Sequence, residues 1–173
     1  IVRIGVDRLC HPDMEQLAAE LTEDTVLISV MGVNNETGTI MPIPEIVKLR
    51  DDFNRAHGTD IWLHSDCVQA FGKIPIDLAR SYLGVDMISL SAHKIHGPKG
   101  MGALYVRKGL HLPAFLLGGG QEQHLRSGTE NTPGIIGFGK APELATRNLA
   151  ARLEAMGLCR KFLLNACKDE IAD

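Results

Sequence analysis

The feature that most constrains this chain is a set of short apolar runs, rich in β-branched residues, between longer segments of helical period. Thr25-Val26-Leu27-Ile28-Ser29-Val30, Ile61-Trp62-Leu63-His64-Ser65 and Val85-Asp86-Met87-Ile88-Ser89-Leu90 are the clearest of them. They are too short for buried helices, and they read as strands covered on both faces of a parallel sheet. Between the first two, Ile46, Leu49, Phe53 and Ala56 recur at helical spacing over 44–57, and Gly58 follows as a stop. Residues 12–21 carry Met14, Leu17, Ala18 and Leu21 on one helical face. Further strands are expected over 1–6 and 102–106, one long amphipathic helix over 133–156 with a hinge near Met156 and Gly157, and a helix from Lys161 to the end. The alternation predicts an α/β fold, a layered and mostly parallel sheet flanked by helices.

Composition removes several functional classes. A net charge of −3 leaves no basic footprint for nucleic acid. No apolar run approaches the roughly 18 residues of a membrane span. The four cysteines, Cys10, Cys67, Cys159 and Cys167, form no CxxC pair and no regular framework. Reduced thiols in a cytoplasmic protein are the expectation. The chain opens on Ile1 inside what reads as a strand and closes within what reads as a helix, so a fragment of a longer chain is expected.

In open α/β sheets, ligands gather beyond the carboxyl ends of the strands. Asn34, Asn35, Asp66, Gln69, His93 and Lys94 all fall just after predicted strands. Lys94 lies beside His93 and ahead of Gly97-Pro98-Lys99-Gly100. A lysine desolvated among cations deprotonates more readily and can attack an aldehyde; alone it also reads as a solvated loop residue. Asp66 has the chemistry to hold a proton on a pyridine nitrogen, as a pyridoxal ring requires, or to cap the segment after it. Gln69, three residues on, has a donor for the ring's phenolate oxygen. Ser91, His93 and the Arg126-Ser127-Gly128-Thr129 turn supply hydroxyls and backbone N–H groups for a phosphate. Gly118-Gly119-Gly120 matches neither a dinucleotide fingerprint nor a Walker loop. His64-x-Asp66 and His93-x-x-His96 lack further metal ligands at characteristic spacing, so no metal site is expected.

Taken in order, Val33-Asn34-Asn35-Glu36-Thr37-Gly38, His64-Ser65-Asp66-Cys67-Val68-Gln69, Ser91-Ala92-His93-Lys94-Ile95-His96-Gly97-Pro98-Lys99-Gly100, and Gly118-Gly119-Gly120-Gln121-Glu122 with Arg126-Ser127-Gly128-Thr129-Glu130-Asn131-Thr132 form a pattern. It resembles the cysteine desulfurases of the NifS/IscS type, class-V aminotransferase-like enzymes that use pyridoxal 5'-phosphate. The resemblance extends to about Thr146 and implies part of the large cofactor domain over 1–146, with 147–173 leading toward a small domain. It implies that Lys94 is the Schiff-base lysine and proton shuttle. Asp66 is then the partner of the pyridine nitrogen, Gln69 the donor to the phenolate, and Asn35 a neighbour of cofactor and substrate carboxylate. Ser91 and His93 become phosphate ligands. Thr129 reaches the phosphate of a neighbouring subunit, which implies a homodimer. The implied substrate is L-cysteine, with alanine released and a persulfide passed to a sulfur-acceptor protein, whether in iron–sulfur cluster assembly, tRNA thiolation or a nitrogenase-linked route. None of the four cysteines matches the family's catalytic one; Cys67, nearest the site, reads as a small buried residue. Selenocysteine lyases share most of these motifs, and a non-catalytic scaffold in a sulfur-transfer complex is the reading of another class.

Overall fold

The computed structural model describes residues 1–171. Four strands, β1 (Leu27–Met31), β2 (Trp62–Asp66), β3 (Met87–Ser91) and β4 (Gly102–Val106), form one sheet in the order β1-β2-β3-β4. The first three run parallel, with Leu27 opposite Trp62, Met31 opposite Asp66 and Asp66 opposite Ser89. β4 returns antiparallel to β3, pairing Gly102 with Ser91 and Val106 with Met87. The mostly parallel sheet therefore stands as the sequence predicts.

Four α-helices accompany it: α1 (Met14–Glu20), α2 (Ile43–His57), α3 (Thr132–Arg147) and α4 (Leu149–Glu170). α1 starts where the Asp13 side chain accepts a hydrogen bond from the Gln16 N–H at 2.9 Å, satisfying an otherwise orphaned donor. α2 buries Ile43, Ile46, Val47 and Arg50, a face set by helical period, and ends at Gly58 in the left-handed conformation (φ 67°). One core lies between this face and the sheet, with Ile28, Ile61, Leu63 and Ile88 joined by Tyr82 and Val85 from the β2–β3 connection. A second, smaller core packs Ala92 and Ile95 against Phe138, Ala141 and Ala145 of α3.

Three expectations are corrected. Residues 1–6 do not form a strand of the sheet; Val6 makes a single bridge to Pro12, and Ile1, Val2 and Val6 are exposed. Their β-branched character has no neighbouring strand to pair with, and isolated strands are not stable. The single helix over 133–156 is two helices broken at Asn148, whose φ −128° and ψ 38° are not helical. Two local features accompany the break: Pro142 lacks a helical N–H, and Arg152 Nη1 donates to the Ala145 carbonyl at 3.2 Å. Met156 and Gly157, expected at a hinge, lie inside the continuous α4. Of the expected terminal helix, residues up to Glu170 belong to α4, and 172–173 lie outside the described residues.

Candidate active site

The three parallel strands end side by side, and each end delivers polar residues to one place. β1 leads through Gly32 and Val33 into a turn in which Asn34 Oδ1 accepts from the N–H groups of Glu36 (2.8 Å) and Thr37 (3.0 Å). That turn carries Asn35. β2 closes on Asp66, whose Oδ1 accepts from the Val68 N–H at 2.9 Å and so starts the turn bearing Gln69. β3 closes on Ser91 and passes into a 3-10 turn, Ala92–Ile95, that holds His93 and Lys94.

The 3-10 turn is pinned from below. Ala92 and Ile95 are buried under α3, while His93 and Lys94 between them face outward. His96 takes a left-handed conformation (φ 66°), and Gly97 N–H donates to the Ala92 carbonyl at 2.8 Å, closing the turn. Gly72, also left-handed, lies so close that a Cβ there would meet Ile95 Cγ2 at 2.8 Å. Lys94 thus presents an exposed side chain from a closely packed turn.

Asn35, Asp66, Gln69 and Lys94 line one cavity of about 290 Å³, together with Met31, Val33 and Val68. Four of the seven expected site residues therefore converge between apolar walls. Ser91 lies at the adjacent strand end, its Oγ 2.8 Å from His93 Nδ1. Neither lines the cavity, and Thr129 is exposed in the loop before α3. Asp66 is exposed at the strand end, so it needs no partner to offset desolvation. Its bond to Val68 is the local capping role, and this leaves Oδ2 for another donor.

Two residues make contacts that the sequence reading did not anticipate. His64, on the same sheet face as Asp66, bridges the strands: Nδ1 lies 2.8 Å from Ser29 Oγ and Nε2 2.8 Å from Ser89 Oγ. Both ring nitrogens are committed to hydroxyls, which argues against the His64-x-Asp66 metal reading. Burial pushes the imidazole below its ordinary pKa, and the Asp66 carboxylate pulls up without offsetting it. The second is Lys73, whose Nζ donates to Gln69 Oε1 at 2.5 Å. Its only sequence signal is its position four residues after Gln69. Cys67 is fully buried, and burial pushes its thiol pKa up against the hydrogen bond with Ser65, the behaviour of a packing residue and not of a nucleophile.

The sequence profile of the class-V aminotransferases matches residues 1–157. The chain belongs to the class-V aminotransferase family. Within this family it is 43% identical over all 173 residues to a cysteine desulfurase IscS of Dictyoglomus turgidum, 42% of whose length it covers. A solved NifS-like protein superimposes with a TM-score of 0.90 at 39% identity, over 97% of this chain and 44% of that one. SspA, solved in complex with cysteine, gives a TM-score of 0.68 at 41% identity over 77% of this chain and 37% of its own. The chain thus spans less than half the length of these class-V relatives.

Proposed function

We propose that the chain is the cofactor-holding part of a pyridoxal-phosphate-dependent cysteine desulfurase. One observation carries this: a single cavity at the carboxyl ends of parallel strands presents an amine, a carboxylate and two carboxamides between apolar walls. Class-V aminotransferases are pyridoxal-phosphate enzymes, and the donor set suits that group. The Lys94 amine suits its aldehyde, the Asp66 carboxylate its basic ring nitrogen, and Val33, Val68 and Met31 its flat apolar ring. The cavity sits near the lower end of the ~300–1,000 Å³ usual for small-molecule sites. Bound there, the cofactor supplies an electron sink for the pair left when a bond at the substrate α-carbon breaks.

The chain's own residues do the rest. Lys94 would hold the cofactor through Nζ and, once released, carry a proton to and from the substrate carbon. Asp66 Oδ2, left open by the Val68 bond, would keep the ring nitrogen protonated. Gln69 would donate to the phenolate oxygen, and Asn35 would orient the substrate carboxylate. Ser91 and His93 would hold the phosphate, and Thr129, exposed and outside the cavity, would serve the site of a second subunit in a homodimer. L-Cysteine is the proposed substrate, supported by the SspA relative solved with cysteine. Iron–sulfur cluster assembly is the proposed use of the sulfur, through an acceptor protein. No cysteine lines the cavity among the described residues, so the sulfur-accepting thiol would have to come from elsewhere. Among the described residues no helix is long and apolar enough to cross a membrane, and a cytoplasmic location fits this reading. Residues 1–146 would form the cofactor domain and 147–173 the start of a link to a smaller one.

The test is chemical. After incubation with pyridoxal 5'-phosphate and borohydride reduction, the added mass is expected on the Lys94 peptide and absent in Lys94→Ala. An adduct on another lysine would overturn the assignment.

A further inference from the structure

Gln69 is a useful donor only if its amide faces the right way. A carboxamide has two ends of opposite character: Oε1 accepts, and Nε2 donates twice. A terminal torsion of this kind is broad and roughly two-fold, so nothing intrinsic to Gln69 selects one end for the cavity. Lys73 makes the choice. Its ammonium has three donors and no acceptor, so the amide atom it meets at 2.5 Å must be Oε1. The NH2 group is then the end left for other partners.

We propose that Lys73 is a positioning residue of this site: it holds Gln69 Oε1, so that Gln69 offers the cavity only hydrogen-bond donors and selects a ligand bearing an anionic oxygen. The inference rests on the cofactor reading above and extends it, since that reading assigns Lys73 no part. Three further observations support it. Gln69 lines the cavity together with Asp66 and Lys94. Lys73 and Gln69 are both partly buried, so their contact is shielded from competing water. Burial pushes the Lys73 ammonium below its ordinary pKa, and the charge of Lys94 pushes it the same way, which places Lys73 within electrostatic reach of the proposed cofactor lysine.

The turn explains how a lysine comes to be held there. Phe71 N–H donates to the Cys67 carbonyl at 2.8 Å, and Lys73 N–H to the Ala70 carbonyl at 3.0 Å. These bonds wind residues 67–74 into successive turns that bring position 73 back over position 69. Gly72, left-handed at φ 73°, permits the change of direction beside Ile95. Lys73 contacts Gln69 but does not line the cavity, so it can restrain the amide without filling that space.

Two readouts test this, and the first needs no cofactor. The side-chain amide of Gln69, assigned through its loss in Gln69→Leu, is followed by 15N relaxation in the chain itself. Lys73→Met is expected to lower its order parameter below about 0.6, the flexible range, and Lys73→Arg to keep it rigid. An unchanged amide in Lys73→Met would overturn the proposal, whatever binds the cavity. The second readout is the affinity for pyridoxal 5'-phosphate, followed by its absorption. Lys73→Met and Gln69→Leu are each expected to weaken binding about tenfold to a hundredfold, the range for a hydrogen bond to a charged group. The double variant is expected to lose no more than either single one. Additive losses would show that Lys73 acts apart from Gln69 and would also overturn it. Failure of the cofactor reading looks different: no adduct forms on Lys94, while the Gln69 amide still responds to Lys73.

Discussion

His64 occupies the middle of β2 with a serine hydroxyl on either ring nitrogen, one from β1 and one from β3. The ladder crosses three strands on the sheet face that carries Asp66, and burial holds the imidazole pKa below its ordinary value. The sign of the consequence follows. Below the ordinary histidine pKa near 6.5, the unfolded chain takes up a proton that the folded chain resists, so stability falls as pH drops and levels off below the depressed folded value. Urea unfolding between pH 8 and pH 5 is expected to show this loss, and His64→Gln, which cannot ionise, to flatten it.

The positions of Lys94, Asp66, Gln69 and Asn35 just after predicted strands were readable from the sequence, while the role of Asn35 came only from the family resemblance. Their convergence needed the register that sets Met31 beside Asp66 and Asp66 beside Ser89. Lys73 was not readable, because an i to i+4 contact reads as helix, and this segment is a run of turns.

At the scale of elements, α2 is tied to the sheet by more than apolar packing. Arg50 is buried, and its Nη1 donates to Asp86 Oδ2 at 2.7 Å and to the Ile61 carbonyl at 3.0 Å, while Nη2 reaches the Gly84 carbonyl at 2.6 Å. Asp86 also accepts from the Leu63 N–H at 2.8 Å and from Arg107 Nε at 2.6 Å. Burial works to raise the Asp86 pKa, but the Leu63 N–H, Arg107 and Arg50 together hold the carboxyl below its ordinary range. Asp86→Ala removes the buried carboxylate shared by Arg50, Arg107 and the Leu63 N–H, though Arg50 keeps its pair with Asp51, and is expected to cost about 3 kcal/mol in urea unfolding. Because the folded pKa is depressed, the contribution is complete above the unfolded carboxylate value near 3.9 and is lost as pH falls through the folded one. The sequence placed Asp86 in a strand, where a carboxylate looks out of character; the Leu63 N–H, Arg107 and Arg50, all distant in sequence, together account for it.

On the whole molecule, apolar side chains concentrate at surfaces that none of the described residues covers. α4 spans 22 residues with none buried, and Leu158 and Phe162 are 63% and 78% exposed. Phe115 and Leu117, in the loop after β4, are both 87% exposed. Surface substitutions of this kind ordinarily change stability by no more than about 0.5 kcal/mol, so Leu158→Lys with Phe162→Lys is expected to leave the unfolding midpoint in place. The pair is also expected to lower binding of an apolar dye such as ANS. A large loss of stability instead would mean that α4 packs more firmly than its exposure indicates.

The sequence by itself determined the class of fold, the strand and helix alternation, the ending of α2 at Gly58, and the types of residue at the strand ends. Those properties depend on local backbone preference and on a hydrophobic period, which neighbours in the chain set. Tertiary structure decided the rest. It left residues 1–6 out of the sheet for want of a pairing partner, broke the long helix at Asn148, exposed Asp66, and turned Gln69 by the approach of Lys73. Each depends on groups that meet across space, and their hydrogen bonds and burial are settled only once the chain has packed.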